Sequence, residues 1–196
     1  MMSLAQVNAM TAEEFVAAFG EIAEHSAWVA EAVAKGPHPA LRATFSKGEG
    51  QIPIPFPSGE GARRADEVPF ANVADMIAAF AQAVMAAPQP QQLSLLRTHP
   101  DLATRAKLTA DSTKEQKGAG LDTLSAAEFA KFTALNDRYK EQNGFPFIFA
   151  VKGATKHQIL ASFEARILNS RAEEFQVALQ QVCKIIGFRI EAKVSA

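Results

Sequence analysis

What most constrains this chain is the way its apolar residues recur at helical spacing behind recognisable start signals. Thr11-Ala12-Glu13-Glu14 and Ser125-Ala126-Ala127-Glu128 are capping boxes, in which a hydroxyl and a glutamate three residues on satisfy each other's backbone donors. Phe15, Phe19, Ile22 and Ala23 then share one helical face, and Phe129, Phe132, Leu135 and Tyr139 share another. Helical character resumes from Val29 to Ala34. Asn72-Val73-Ala74-Asp75 starts a further helix that turns Met76, Ile77, Phe80 and Val84 inward. Pro88 and Pro90 end it and open a short helix through Leu93 and Leu96. Pro100 suits the first turn of the next, from Asp101 to Leu108. Gly153 and Thr155 lead into a helix from Lys156 to about Asn169, and a last one runs from about Arg171 to Ile190. No strand alternates with these helices. The expected fold is all-α, about seven to eight helices, with no parallel sheet.

Between Gly36 and Pro69 the pattern breaks. Pro37, Pro39, Pro53, Pro55, Pro57 and Pro69 arrive together with Gly36, Gly48, Gly50, Gly59 and Gly61. Prolines this dense remove backbone donors and forbid a helix, so a long irregular loop is expected, with a short extended piece from Gln51 to Phe56. The run Phe145 to Val151, just past the helix stop at Asn143-Gly144, is too short and proline-bound for a helix and has no strand partner. A length of 196 residues suits one domain over 1–196 with a real core and a loop insertion at about 36–67. A net charge of -1 offers no electrostatic reason for nucleic acid or an acidic membrane as partner. No eighteen-residue apolar run is present to span a bilayer, and the ends carry neither a secretory leader nor a Ser-Lys-Leu address. The single cysteine, Cys183, excludes an internal disulfide and suits a reducing compartment. It falls in an apolar helical pattern and reads as a small buried residue. The expected location is cytoplasmic.

Two neighbouring stretches carry the chemistry: Arg97-Thr98-His99-Pro100-Asp101-Leu102-Ala103 and Ser112-Thr113-Lys114-Glu115-Gln116. His99 titrates near neutrality and can serve as acid or base, or simply cap a helix. Pro100 biases it out of the helical region. Ser112 and Glu115 fit a third capping box, while the same helix start presents backbone amides to an anionic substrate. Arg189 follows Ile186, Ile185, Val182 and Leu179 at helical spacing and so falls on an apolar face. There it either finds a buried partner or reaches back to water beside the helix end. Arg166 reads as one half of a structural ion pair with Glu173 or Glu174, and His25 as an N-terminal structural contact. His25, His38, His99 and His157 show no paired metal-ligand spacing. No HExxH, P-loop, GxGxxG or nucleophile elbow is present. These absences point to cofactor-free acid–base chemistry.

Taken together, His99-Pro100-Asp101-Leu102-Ala103, Ser112-x-x-Glu115-Gln116-x-x-Ala119-Gly120-Leu121, Leu135-Asn136-x-x-Tyr139 and Gly144-Phe145-Pro146-Phe147-Ile148 resemble the OHCU decarboxylases. So do Phe15-x-x-x-Phe19-Gly20 and Glu24-His25-Ser26-x-Trp28. These enzymes act on 2-oxo-4-hydroxy-4-carboxy-5-ureidoimidazoline, the last intermediate between urate and (S)-allantoin. The resemblance implies an all-helical homodimer with a small-molecule substrate and no metal or organic cofactor. It further implies functional coupling to urate oxidase and hydroxyisourate hydrolase. By motif, His99 corresponds to the catalytic acid–base residue, Glu115 to its partner across the substrate, and Arg189 to a C-terminal active-site arginine. Pro100, the segment Ser112, Thr113, Lys114, Glu115 and Gln116, and the segment Phe147, Ile148, Phe149, Ala150 and Val151 correspond to the pocket lining, largely through backbone groups. The 36–67 insertion, Thr104 in place of a glycine and Ala27 in place of a proline depart from the family pattern. Two other readings are a lyase for a related ureido or imidazoline compound, and a helical binding module that has lost catalysis. Intact His99, Glu115 and Arg189 argue against the module.

Overall fold

The computed structural model describes residues 1–36, 70–104 and 108–196. Among these it forms nine helices: α1 (Leu4–Asn8), α2 (Ala12–Phe19), α3 (Trp28–Ala34), α4 (Val73–Ala86), α5 (Gln89–Thr98), α6 (Ala110–Gly118), α7 (Ala126–Asn143), α8 (Lys156–Arg166) and α9 (Arg171–Lys193). Two short strands, β1 (Met2–Ser3) and β2 (Val194–Ser195), pair in parallel. The all-α expectation holds apart from that pair. The loop expected at 36–67 lies outside the described residues from 37 onward.

The described residues group into two compact units, one of 1–87 with 189–196 and one of 88–188. In the first, α1 and α2 each open on a capping box, at Ser3 with Gln6 and at Thr11 with Glu14. The helical face expected to run on through Ile22 and Ala23 stops at Phe19. Both residues are buried nonetheless, within the turns that lead to α3. Further along, Glu24 and His25 have left-handed φ angles of 42° and 51°, which a right-handed helix does not accommodate. Phe15 packs against Phe19, Phe70 and Phe80 with ring centroids 4.8, 6.2 and 6.0 Å apart. Asn8 fixes Phe70 from both sides, donating to its carbonyl at 3.0 Å and accepting from its N–H at 2.7 Å. Asn72 caps α4 as expected; Met76, Phe80 and Val84 are buried, and Ile77 is only half-buried.

The second unit is built around α7. Ser125 and Glu128 form the expected capping box, and Gly144 ends the helix at φ 79°, a conformation that costs a glycine nothing. Phe132, Asn136, Tyr139 and Asn143 are the buried face; Phe129 and Leu135 are half-buried. Residues 145–151 adopt no helix or strand, and Phe147 stacks on Phe163 of α8 at 3.8 Å between centroids. Helix α8 stops at Arg166, three residues before the expected end, and α9 runs three residues beyond its expected end.

Glu174 of α9 is completely buried in this unit. Its carboxylate accepts from Arg166 at 2.8 Å, from Tyr139 Oη at 2.5 Å and from Asn169 Nδ2 at 2.7 Å. Burial, reinforced by the adjoining carboxylate, pushes the Tyr139 phenol far above its ordinary range, so it remains a donor. Arg166 also donates to the Ile148 carbonyl at 2.8 Å and lies 4.3 Å from the Phe147 ring centre. The ion pair expected for Arg166 is therefore present, with Glu174 as its partner.

Two outcomes follow for stability. Replacing Glu174 by Leu leaves the Arg166 charge and the Tyr139 hydroxyl without their acceptor and should cost about 3–5 kcal/mol in urea unfolding; Tyr139→Phe should cost about 1–3 kcal/mol. Glu128 tests the acid side. The Lys156 ammonium, 2.9 Å away, and the Ser125 N–H hold its carboxyl down from 4.5 to about 2. A folded-state value below the unfolded one stabilises fully above about pH 4.5 and loses that stabilisation as pH falls toward about 2. The melting-temperature gap between wild type and Glu128→Gln should therefore be widest near neutrality and close across that window.

Candidate active site

Helix α5 ends at Thr98, and His99 takes extended angles (φ -71°, ψ 137°), as a residue before proline must. The ring is buried, and its Nδ1 lies 2.9 Å from the carbonyl oxygen of Leu95, one turn back on α5. A carbonyl can only accept, so Nδ1 carries a proton and donates it to Leu95. That bond orients the ring, and an imidazole is a side chain suited to acid–base work.

The helix expected from Asp101 to Leu108 does not start at Asp101, and its residues 105–107 lie outside the described residues. Residues 101–104 make a turn in which Ala103 has φ 57°, which breaks a helix that Pro100 was suited to start. Side chains from two other helices take the place of helical backbone bonds. Gln116 of α6 accepts from the Ala103 N–H at 2.9 Å, and its amide nitrogen is 3.4 Å from the Asp101 carbonyl. Asn136 of α7 donates to the Leu102 carbonyl at 2.9 Å, and Lys140 pairs with the Asp101 carboxylate at 2.7 Å. The Asp101 carboxylate raises the Lys140 pKa and so keeps it charged.

The capping box expected at Ser112 and Glu115 is also overturned. Helix α6 begins one turn earlier, with Thr109 as its cap. Thr109 supplies that cap and so lets the helix add a full turn of backbone bonds. The Ser112 N–H bonds to Thr109 Oγ1 at 3.3 Å and the Thr113 N–H to the Thr109 carbonyl at 2.9 Å, so these amides are not open at a helix start. Ser112 and Gln116 face inward with Glu115 half-buried beside them, while Thr113 and Lys114 are exposed. In the segment 147–151, Phe147, Ile148 and Val151 are buried and Phe149 and Ala150 half-buried. Several of its backbone groups have protein partners: Arg166 takes the Ile148 carbonyl, and the Ala150 N–H donates to Gln181 Oε1 at 2.9 Å.

Arg189 belongs to the other compact unit. It is buried and donates to Glu24 Oε1 at 2.8 Å and to the Ile22 carbonyl at 3.2 Å. Of the two readings of this arginine, the inward one with a buried partner is what forms. The partner, Glu24, was not singled out from the sequence. Its only signal there was its place at the head of Glu24-His25-Ser26-x-Trp28, since burial and a left-handed φ do not show in a residue name. His25 next to it is exposed and pairs with Glu21 at 3.1 Å, a local structural contact as expected. Cys183 is half-buried, and desolvation pushes its thiol up to about 12, which makes it a poor nucleophile. Among the described residues no group of three or more histidine, cysteine, aspartate or glutamate side chains is arranged to hold a metal ion, nor is any helix long and apolar enough to cross a membrane.

A family model described as OHCU decarboxylase matches residues 57–191. The chain is also 37% identical over 195 residues to the 2-oxo-4-hydroxy-4-carboxy-5-ureidoimidazoline decarboxylase of Haloferax volcanii, spanning 100% of this chain and 98% of that one. The chain belongs to the OHCU decarboxylase family. Another member, from Halalkalicoccus jeotgali, is 36% identical and covers 97% of this chain and 90% of its own length. The chain is similar along 97% of its length to the uric acid degradation bifunctional protein of Bacillus subtilis, at 34% identity, and spans 32% of that longer protein. Among solved structures, one described as (S)-allantoin synthase superposes with a TM-score of 0.67 at 30% identity, over 98% of this chain and 54% of that one.

Within this OHCU decarboxylase family member the Glu24–Arg189 pair can be weighed directly. Removing either partner strands a buried charge, so each single change should be more destabilising than the pair removed together. In a cycle of Glu24→Gln, Arg189→Met and the double variant, urea unfolding should give a coupling of about 1–3 kcal/mol. Strictly additive effects would mean the pair contributes nothing as a pair.

Proposed function

We propose that this protein is a carboxy-lyase that removes CO2 from 2-oxo-4-hydroxy-4-carboxy-5-ureidoimidazoline and yields (S)-allantoin in urate degradation. Family membership along nearly the whole chain supports the reaction, and the urate context is supported by similarity to proteins named for uric acid degradation. The structural observation that carries the reading is His99, a buried imidazole whose Nδ1–H is spent on the Leu95 carbonyl.

The chemistry asks little beyond such a group. When the bond to the carboxylate breaks, its electron pair stays on the ring carbon and passes to the adjoining unsaturated group, so the substrate acts as its own electron sink. The carbon that lost CO2 becomes the ring carbonyl as its hydroxyl gives up a proton, and a proton must then reach the neighbouring ureido-bearing carbon, the stereocentre of allantoin, from one face. In this proposal His99 delivers it, and a ring held in one orientation gives one enantiomer. Glu115 holds the hydroxyl and carboxylate end together with His99, and Arg189 orients the substrate. Pro100, Ser112, Gln116 and the segment Phe147 to Val151 shape the binding site. Thr113 and Lys114, both exposed, have the least support among the expected lining residues. The proposal treats 1–196 as one OHCU decarboxylase-like domain that works as a cytoplasmic homodimer. It consumes the product of urate oxidase and hydroxyisourate hydrolase acting in turn. The single cysteine suits that setting.

The test generates the substrate in situ with those two enzymes and follows allantoin chirality by circular dichroism. Wild-type protein should produce a rapidly growing (S)-allantoin signal. His99→Ala should reduce the signal to the slow racemic background while keeping the wild-type melting curve. Full activity in that variant would remove His99 from the proposed mechanism, and an inactive wild type would remove the proposed reaction.

A further inference from the structure

Gln116 follows Glu115 directly, and by motif both fall in the segment expected to touch substrate. The structure gives the Gln116 side chain a different use. Its oxygen accepts from the Ala103 N–H at 2.9 Å and its amide nitrogen sits 3.4 Å from the Asp101 carbonyl. The side chain is 8% exposed. Both faces of the amide are thus directed at the turn that follows His99. That turn needs holding, because Ala103 is a non-glycine residue at φ 57°, a conformation that costs roughly 1–2 kcal/mol and persists only where surrounding contacts over-determine it. Asn136 and Lys140 hold the same turn from α7. The bonds from Gln116 tie it to α6, the helix that carries Glu115.

We propose that Gln116 is a positioning residue: its amide fastens the His99–Ala103 turn to α6 and thereby sets the spacing between His99 and Glu115. The inference rests on the reading in which those two residues act on one substrate. A glutamine spent on protein backbone in this way does not contribute to substrate affinity. Its loss should change the rate of the step that needs both groups in register and leave KM alone. A misplacement of about 1 Å at such a distance from the chemistry can lower a rate roughly 100-fold.

Three readouts test it on the full-length protein in the coupled circular dichroism assay. Gln116→Met keeps the length and removes both hydrogen bonds. It should lower kcat roughly 10- to 100-fold with KM within about twofold of wild type, and amide hydrogen exchange at Ala103 should quicken. Gln116→Glu keeps an oxygen acceptor for the Ala103 N–H. It should restore the exchange protection and bring kcat back to within about tenfold of wild type. Assays run well below each variant's melting temperature, so a purely structural role would leave kcat untouched. If Gln116→Met does not fold, Gln116→Glu decides by the same split between kcat and KM. A raised KM with unchanged kcat would make Gln116 a substrate contact and overturn the inference, as would a Gln116→Met enzyme of wild-type kcat. An inactive wild-type protein would instead overturn the functional reading, and this inference with it.

Discussion

The Glu174 carboxylate has no exposure to water, and much of the second unit is arranged around supplying it with hydrogen-bond donors. An isolated buried carboxylate would lose several kcal/mol in hydration. Arg166, Tyr139 and Asn169 supply the compensating donors. Two of these partners have a second job. Tyr139 places its ring edge-on to Phe145, Phe147 and Phe163. Arg166 reaches the Ile148 carbonyl and covers the Phe147 ring. One buried charge therefore joins α7, α8 and α9 and fixes a stretch of chain, residues 145–151, that has no helix or strand of its own to hold it.

The same device recurs at lower cost around His99. The turn after it lacks helical bonds because Ala103 is left-handed, and the amides of Gln116 and Asn136 substitute for them. Asparagine and glutamine suit this use, since each offers one donor and one acceptor to a backbone that needs both and carries no charge to desolvate. In the first unit Glu24 and Arg189 repeat the charged version, again beside residues with left-handed angles. Among the described residues, the irregular backbone at 24, 101–103 and 148 is fastened by polar side chains. The regular helices are held by aromatic and aliphatic packing.

Much of the architecture was legible in the residues. Capping boxes at Thr11 and Ser125, the Asn72 cap and the glycine stop at Gly144 all sit where local pattern places them, because each depends on residues within one turn of itself. Where reading failed after His99, a distant group had intervened. The helix expected from Asp101 yields to a turn held by side chains 13, 15 and 34 residues away in sequence. The Ser112 cap fails for a local reason instead, since Thr109 opens the helix one turn earlier and takes the Ser112 N–H. The turns after α2 contain Glu24, which meets Arg189, 165 residues along.

By itself the sequence determined the helical class, most helix starts, the extended angles of His99 before its proline, and the family motifs. All are local, set by capping chemistry, by the proline ring or by residue identity. Only the tertiary structure decided which charged residues are buried and with whom: Arg189 with Glu24, and Arg166 with Glu174 rather than Glu173. It also decided that Gln116 spends its amide on the His99 turn. The physical reason is the same in each case. A buried polar group must find a partner of matching donor or acceptor character, and that partner is chosen by which chain segments the apolar core brings together, not by their distance in sequence.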